Sequence, residues 1–134
     1  MKFNMIKYKL IRGRDYSRYY KVEKDENGKP YLINSDKYIS ISHQGNWTLI
    51  AISDLPVGID VERIRKYKES LPKYLGLNKG NRISKYGLFK EWTRREAYIK
   101  KNNLKLNQIV LLNGKMDGKF KTFLLYPYVI SVSY

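Results

Sequence analysis

The sequence contains no cysteine and only one histidine. Without cysteine, neither a disulfide framework nor a thiolate nucleophile or metal site is available, which suits a reducing compartment. No segment is apolar enough to span a bilayer. Residues 1–10 interleave lysines with single apolar residues and lack the continuous apolar core of a signal peptide. We therefore expect a soluble, cytoplasmic protein without a membrane partner.

Acidic residues are also scarce. There are 12 Asp and Glu residues against 27 Lys and Arg, which gives a formal net charge of +15. Such an excess raises the local concentration of anions and the rate at which they associate. Nucleic acid, anionic lipid, a polyphosphate ligand and an acidic protein all fit this charge, and an AT-rich coding sequence would enrich Lys and Tyr without any function. Charge alone predicts the sign of the partner and not its kind.

Low-complexity tracts and Pro/Ser-rich linkers are absent as well. At 134 residues the chain has the commonest length of a single domain. Its hydrophobic fraction of 43% argues against intrinsic disorder, which requires a poverty of apolar residues. We expect one compact domain that comprises residues 1–134.

Short alternating segments separated by turn residues predict β-strands in the first half of the chain. Residues 25–30 (DENGKP) are typical of a turn between extended segments, and strands are predicted at residues 38–42, 47–53 and 57–62. A turn at residues 43–46 would return the second of these strands antiparallel to the first. We expect the three strands to form one meander.

One helical pattern dominates the second half. Leu88, Trp92 and Ile99 recur at helical spacing within residues 88–101, and the two asparagines that follow can end the helix. The preceding segment, residues 66–85, has no sustained period and is expected to be mostly loop with a short helix near residues 68–75.

The chain is predicted to end in three further strands. They are expected at residues 108–112, 120–125 and 128–133, with Asn-Gly, Asp-Gly and Tyr-Pro pairs at the corners. The predicted fold class is therefore α+β, a mostly antiparallel sheet with one long helix packed on it.

Two carboxylates lie side by side on the strand predicted at residues 57–62. The period of a strand puts Asp60 and Glu62 on one face, about 6 to 7 Å apart. Their charges repel each other unless a cation compensates. Simple exposure to water is the more common fate of such a pair.

A third carboxylate comes from the helix. Glu96 lies at the edge of the apolar stripe, where a charged group needs a partner. Lys100, four residues further on, could be that partner, at only about 0.2 to 0.5 kcal/mol. If the helix instead packs beside the strand, Asp60, Glu62 and Glu96 converge as the oxygen ligands that Mg²⁺ prefers.

A loop tip at Ser42 and His43 supplies a hydroxyl and an imidazole. On their own they are ordinary turn residues. Both groups can also donate hydrogen bonds to a phosphate or diphosphate oxygen.

Three ordered motifs resemble the 4′-phosphopantetheinyl transferase superfamily, and within it the surfactin-synthetase-activating type. They are ISISHQG at residues 39–45, PVGIDVE at residues 56–62 and WTRREAYIK at residues 92–100. Gly28-Lys29-Pro30 also matches a Gly-Lys-Pro turn of that family. The resemblance implies a 4′-phosphopantetheinyl transferase-like domain with a shortened N-terminal lobe, residues 1–56, and a metal-binding C-terminal lobe, residues 57–134.

The resemblance also implies roles for individual residues. Mg²⁺ would be held by Asp60, Glu62 and Glu96. Coenzyme A, the co-substrate, would be bound by Lys29, Pro30, Ser42, His43 and Lys100. The catalytic residues would be Glu96, Lys100 and, as a general base, Glu69.

The activity implied is Mg²⁺-dependent transfer of 4′-phosphopantetheine from coenzyme A to a serine of an acidic acyl or peptidyl carrier protein. Arg95 stands where the family usually has Lys before the Glu, and the first lobe is short. The alternative is a degenerate member that binds coenzyme A or a carrier without transfer. A basic nucleic-acid-binding module is a further, less favoured alternative, because the basic residues follow no RNA-motif spacing.

Overall fold

The computed structural model describes residues 5–77 and 83–134. Residues 1–4, at the start of the stretch considered as a signal peptide, and residues 78–82, inside the predicted loop, lie outside the described residues. The strands are β1 (Lys7–Arg12), β2 (Val22–Lys24), β3 (Pro30–Leu32), β4 (Tyr38–Gln44), β5 (Trp47–Ser53), β6 (Gly58–Arg63), β7 (Phe120–Leu125) and β8 (Tyr128–Ser133). The helices are α1 (Ser70–Tyr74), α2 (Lys85–Asn102) and a 3₁₀ helix (Leu106–Leu112).

The first sheet has the order β1-β5-β4, with both neighbouring pairs antiparallel. The predicted turn lies at Gly45, whose φ of +57° suits the tight connection from β4 to β5. Ile11, Ile39 and Ile50 are buried between this sheet and the β2–β3 hairpin, where Val22 packs against them. The predicted strands and hairpins of the first half are thus confirmed.

The predicted meander is wrong, because β6 does not pair with β5. It forms a second antiparallel sheet of order β6-β8-β7, in register from Gly58 opposite Ser133 to Arg63 opposite Tyr128. The main chain of β6 therefore pairs with β8, whereas the sequence analysis expected it to pair with β5. The predicted boundary between residues 56 and 57 falls in the connection between the two sheets.

The long helix α2 is confirmed and begins three residues earlier than predicted. The Ser84 hydroxyl caps its N-terminus by accepting a hydrogen bond from the Gly87 N–H at 3.0 Å. Asn103 ends it in the left-handed conformation with φ of +54°. Leu88 and Ile99 are buried in one core cluster on this helix, as the helical spacing predicted.

The strand predicted at residues 108–112 is wrong. Leu106–Leu112 forms a 3₁₀ helix, which puts Ile109 and Leu112 on the same side, three residues apart. Both side chains are buried in a cluster with Leu75 and Leu88. Burial of this pair against the helices decides the local structure over the β-propensity of the sequence.

The α+β class, with antiparallel sheets and one long helix, is confirmed, as is a short helix within residues 68–75. Within residues 5–77 and 83–134, no helix is long and apolar enough to cross a membrane.

Gly58 fixes how closely α2 approaches β6. A Cβ atom there would lie 1.8 Å from the Ala97 carbonyl oxygen, a contact that only a shift of the helix relieves. We predict that Gly58→Ala lowers the free energy of unfolding by about 3 kcal/mol, measured by denaturant titration. Gly114→Ala is the control, because its Cβ meets nothing within 4 Å and only the positive φ costs about 1 kcal/mol. Equal effects of the two substitutions would contradict the close approach.

Candidate metal and nucleotide site

Side chains join the two sheets at the seam between β4 and β6. The Ile59 N–H donates to the Ser40 hydroxyl at 2.9 Å, and the Val61 N–H donates to the Ser42 hydroxyl at 3.1 Å. Alternate residues of β4 thus satisfy alternate N–H groups of β6 in place of a main-chain ladder. The Ser42 hydroxyl in turn donates to Asp60 Oδ1 at 3.2 Å, which places this carboxylate at the centre of the seam.

Lys100 reaches the same point from α2. Its ammonium donates to the carbonyl oxygens of Ile41 and Ile59, both at 3.0 Å, and lies 3.4 Å from Asp60 Oδ1. These contacts match the three donors of an ammonium group. The i,i+4 pairing of Lys100 with Glu96, which the sequence left open, is not the arrangement found.

Asp60 is a buried carboxylate with an unfilled bonding capacity. Its side chain is 8% exposed, and within the described part of the chain its Oδ2 atom has no hydrogen-bond partner. Burial raises the pKa of Asp60 to about 7; Lys100 opposes this rise, and the charges of Glu96 and Glu62 add to it. An additional cation would stabilise the ionised form of this buried carboxylate.

The other two predicted carboxylates lie within electrostatic range of Asp60. Glu96 is half-buried, and its charge raises the pKa of both Asp60 and Glu62. Glu96 Oε1 accepts from the Trp92 indole N–H at 3.0 Å. Glu62 Oε2 accepts from Arg65 at 3.0 Å and from Gln44 at 3.2 Å, and burial is the main cause that raises its pKa.

The three carboxylates are neighbours but are not yet arranged around a common point. Over residues 5–77 and 83–134, no three His, Cys, Asp or Glu side chains stand close enough to hold a metal ion. Glu62 is engaged by Arg65 and Gln44, and Glu96 by Trp92. Asp60 keeps a buried oxygen that has no partner in the part of the chain that the structure describes. The residues present therefore fit a divalent cation, provided that the side chains of Glu62 and Glu96 turn toward Asp60.

A cavity of about 320 Å³ opens beside Lys100. Its lining includes Lys24, Lys29, Pro30, His43 and Lys100. The predicted nucleotide-binding residues are thus brought together, except Ser42, which is buried in the seam. Burial lowers the pKa of Lys29, whose ammonium also donates to the Lys101 carbonyl at 3.3 Å. Three lysines and an imidazole around one cavity favour a polyanionic ligand.

The hydrogen bonds of His43 determine its tautomer. The Thr48 hydroxyl donates its single proton to the Gly13 carbonyl at 2.7 Å, so it must accept from His43 Nδ1, also at 2.7 Å. The neutral ring therefore carries its proton on Nδ1 and leaves Nε2 as an acceptor. Burial, followed by the charges of Arg14, Lys100 and Lys24, lowers the pKa of His43.

Two residues singled out from the sequence lie apart from this group. Glu69 is the exposed N-cap residue of α1, and its side chain makes no cap hydrogen bond. Arg95 is fully buried in the core, where it donates to Glu91 at 2.8 Å and to the Leu75 and Ile109 carbonyls. Arg95 thus ties α2 to α1 and the 3₁₀ helix and does not contact the carboxylates.

Sequence reasoning missed several residues that shape the site. Ser40 lies two residues before Ser42 on a predicted strand, and Trp92 lies one helical turn before Glu96. Their spacing in the sequence could therefore have pointed to Ser40 and Trp92. Gln44 had no such signal, because it reaches Glu62 only once β4 and β6 lie side by side. Arg65 follows Glu62 by three residues, so the spacing of this pair was present in the sequence.

Sequence comparisons support the family inferred from the motifs. The chain is 38% identical to 4′-phosphopantetheinyl transferase gsp of Aneurinibacillus migulanus over 85 residues, covering 58% of this chain and 35% of the relative. It is 32% identical to 4′-phosphopantetheinyl transferase psf-1 of Bacillus pumilus over 88 residues, with 58% and 37% covered. It is also 42% identical to a 4′-phosphopantetheinyl transferase of Bacillus subtilis over 41 residues, with 30% and 18% covered.

The resemblance to the 4′-phosphopantetheinyl transferase superfamily is confirmed. The chain matches little more than a third of the length of these curated relatives at most. No model of a known protein family matches it.

The shifted pKa of Asp60 makes stability depend on pH in a defined direction. Because its folded pKa of about 7 exceeds the ordinary 3.8, the folded state binds the extra proton between about pH 4 and pH 7. The Asp60 contribution to stability is therefore fully present below about pH 4 and is lost as the pH rises through 7. Asp60→Asn cannot ionise, so we predict that its stability relative to wild type increases over this window by up to about 4 kcal/mol.

The measurement is denaturant unfolding of both proteins at a series of pH values in a chelating buffer. Contributions from titrating groups that do not interact with Asp60 cancel in the difference. A constant difference from pH 4 to pH 8 would contradict the burial of an ionisable Asp60.

Proposed function

We propose that this protein transfers the 4′-phosphopantetheine group of coenzyme A to a serine of a carrier protein. Mg²⁺ would be held by Asp60, Glu62 and Glu96. The observation that supports the proposal best is the buried Oδ2 of Asp60, which has no partner among residues 5–77 and 83–134 and lies beside a cavity lined by three lysines. The relatives named as 4′-phosphopantetheinyl transferases supply the reaction class.

In this proposal the cavity receives the nucleotide end of coenzyme A. Lys24 and Lys29 offer ammonium groups to phosphate oxygens, and His43 offers Nε2 once that nitrogen is protonated. Pro30 and the Tyr16 ring provide apolar walls for the base. Lys100 lines the same cavity while it holds Asp60, so it links the nucleotide pocket to the carboxylates.

The reaction itself would be an in-line displacement. The carrier serine oxygen forms a bond to the phosphorus that bears the pantetheine, and the bond from that phosphorus to adenosine 3′,5′-bisphosphate breaks. Bound Mg²⁺ would supply charge neutralisation on the diphosphate oxygens.

The residues of the chain orient the reactants and accept the released proton. Lys100 keeps Asp60 directed into the site, and Trp92 holds Glu96 until the cation draws that carboxylate toward Asp60. Glu69 is the proposed acceptor of the serine proton; its exposed position at the start of α1 would let it meet a docked carrier. The net charge of +15 suits an acidic carrier surface, because electrostatic complementarity raises the rate of association.

The transfer reaction is tested directly by mass spectrometry. An apo carrier protein incubated with coenzyme A, Mg²⁺ and this chain is expected to gain the mass of one phosphopantetheine. Glu96→Gln is expected to reduce the rate at least about 100-fold, since it removes a charge on which positioning of the reactants depends. Asp54→Asn, a matched change at an exposed surface carboxylate, should leave the rate unchanged.

Failure of transfer with several acyl and peptidyl carriers would contradict the proposed activity. If coenzyme A still binds under those conditions, the chain is a degenerate member of the superfamily.

Binding of the nucleotide should also be linked to proton uptake at His43. The free imidazole is held neutral by its lowered pKa, and it must be protonated for Nε2 to donate to a phosphate. We predict that the affinity for coenzyme A, measured by calorimetry, rises between pH 8 and pH 6 in both proteins. The rise should be several-fold larger in wild type than in His43→Gln. The titration of the ligand itself is common to both proteins and cancels. Parallel pH profiles would remove His43 from the phosphate contacts.

A further inference from the structure

Arg65 occupies the side of the carboxylate group that faces solvent. Its Nη1 lies 3.0 Å from Glu62 Oε2 and donates at 2.8 Å to the Arg63 carbonyl. The Glu62 side chain is only 18% exposed, whereas that of Arg65 is 46% exposed. Arg65 is thus a half-exposed surface cation paired with a largely buried anion.

The guanidinium also has a second support that does not involve Glu62. It lies 5.2 Å from the centre of the Phe89 ring and 5.4 Å from that of Trp92. Both distances are within the range of cation–π attraction. The same Trp92 donates its indole N–H to Glu96. Arg65 therefore touches one carboxylate and the aromatic residue that holds another.

We propose that Arg65 is the resident counter-ion of Glu62, which a divalent cation must displace, so that this residue sets the cation affinity of the site. The inference depends on the metal site of the proposed function. In the cation-free protein Arg65 neutralises Glu62, whereas Asp60 Oδ2 has no hydrogen-bond partner among the described residues and is left for the cation. Glu62 can serve a cation only after its ion pair with Arg65 opens.

The exchange has a low cost because Arg65 keeps other contacts. After release of Glu62, the guanidinium retains the Arg63 carbonyl and the faces of Phe89 and Trp92. The cation then neutralises Glu62 in place of the arginine. Closure of the carboxylates around it also draws Glu96 away from the indole N–H, so Trp92 changes its surroundings.

The test is a titration of the metal-free protein with Mn²⁺, followed by the electron paramagnetic resonance signal of the free ion. Arg65→Met is expected to bind Mn²⁺ about fivefold more tightly than wild type, because the competing cation is removed. Lys66→Met is the matched control: it removes one positive charge from the adjacent exposed position and should change affinity less than about twofold.

Tryptophan fluorescence provides a second readout that does not depend on activity. The chain has two tryptophans, so Trp47→Phe isolates the signal of Trp92. In this background Mg²⁺ should change the emission of Trp92, because Glu96 leaves the indole N–H when the cation binds. Arg65→Met should reach the midpoint of its change at a lower Mg²⁺ concentration than the protein that keeps Arg65.

The outcomes separate this inference from the proposed function. If wild type binds Mn²⁺ and Arg65→Met binds it no more tightly than Lys66→Met, the role of Arg65 is wrong and the metal site remains. If none of the proteins binds Mn²⁺, with or without coenzyme A, both the metal site and the role of Arg65 are wrong. A selective gain in Arg65→Met supports the inference.

Discussion

The contact between the Lys100 ammonium and the buried Asp60 carboxylate lies where three elements meet. Lys100 comes from α2, Asp60 from β6, and the remaining donors of the ammonium go to a carbonyl of β4 and one of β6. Because β4 and β6 belong to different sheets, no continuous ladder connects them at this seam. Side-chain hydrogen bonds connect the two sheets instead, and the same side chains form the candidate site.

This arrangement explains why the electrostatics of the site are unbalanced. One lysine amine is shared among two carbonyls and a carboxylate, while three carboxylates influence one another. The fold therefore contains a buried carboxylate, Asp60, whose charge Lys100 neutralises only in part. A further cation would stabilise its ionised form. This excess of negative charge in the free protein is consistent with the proposed divalent cation and phosphate ligand.

Much of the architecture could be predicted from local patterns. The α2 helix, the β4–β5 hairpin and the pairing of Asp60 with Glu62 on one face follow from periodicity and turn residues. The partner of β6 could not be predicted, because the choice between β5 and β8 depends on contacts across more than 60 residues of sequence. The 3₁₀ helix was missed because burial of Ile109 and Leu112 against the helices outweighs local propensity.

The site shows the same division. Spacing and family resemblance brought out Asp60, Glu62, Glu96, Lys100 and His43, since each lies in a recognisable motif. The partners of those residues are mostly long-range consequences of the fold: the carbonyls bound by Lys100 and the Gln44 amide beside Glu62 have no counterpart in a linear pattern. Arg95 is the reverse case, because its place in the motif suggested the site and its burial shows a structural role.

The most direct test of the account is a crystal structure with Mn²⁺ and coenzyme A, in which anomalous scattering locates the metal. The account predicts one ion bound to Asp60 Oδ2, with Glu62 and Glu96 turned toward it and the diphosphate completing its coordination. Coenzyme A bound without anomalous density beside Asp60, or with the ion coordinated elsewhere, would contradict it.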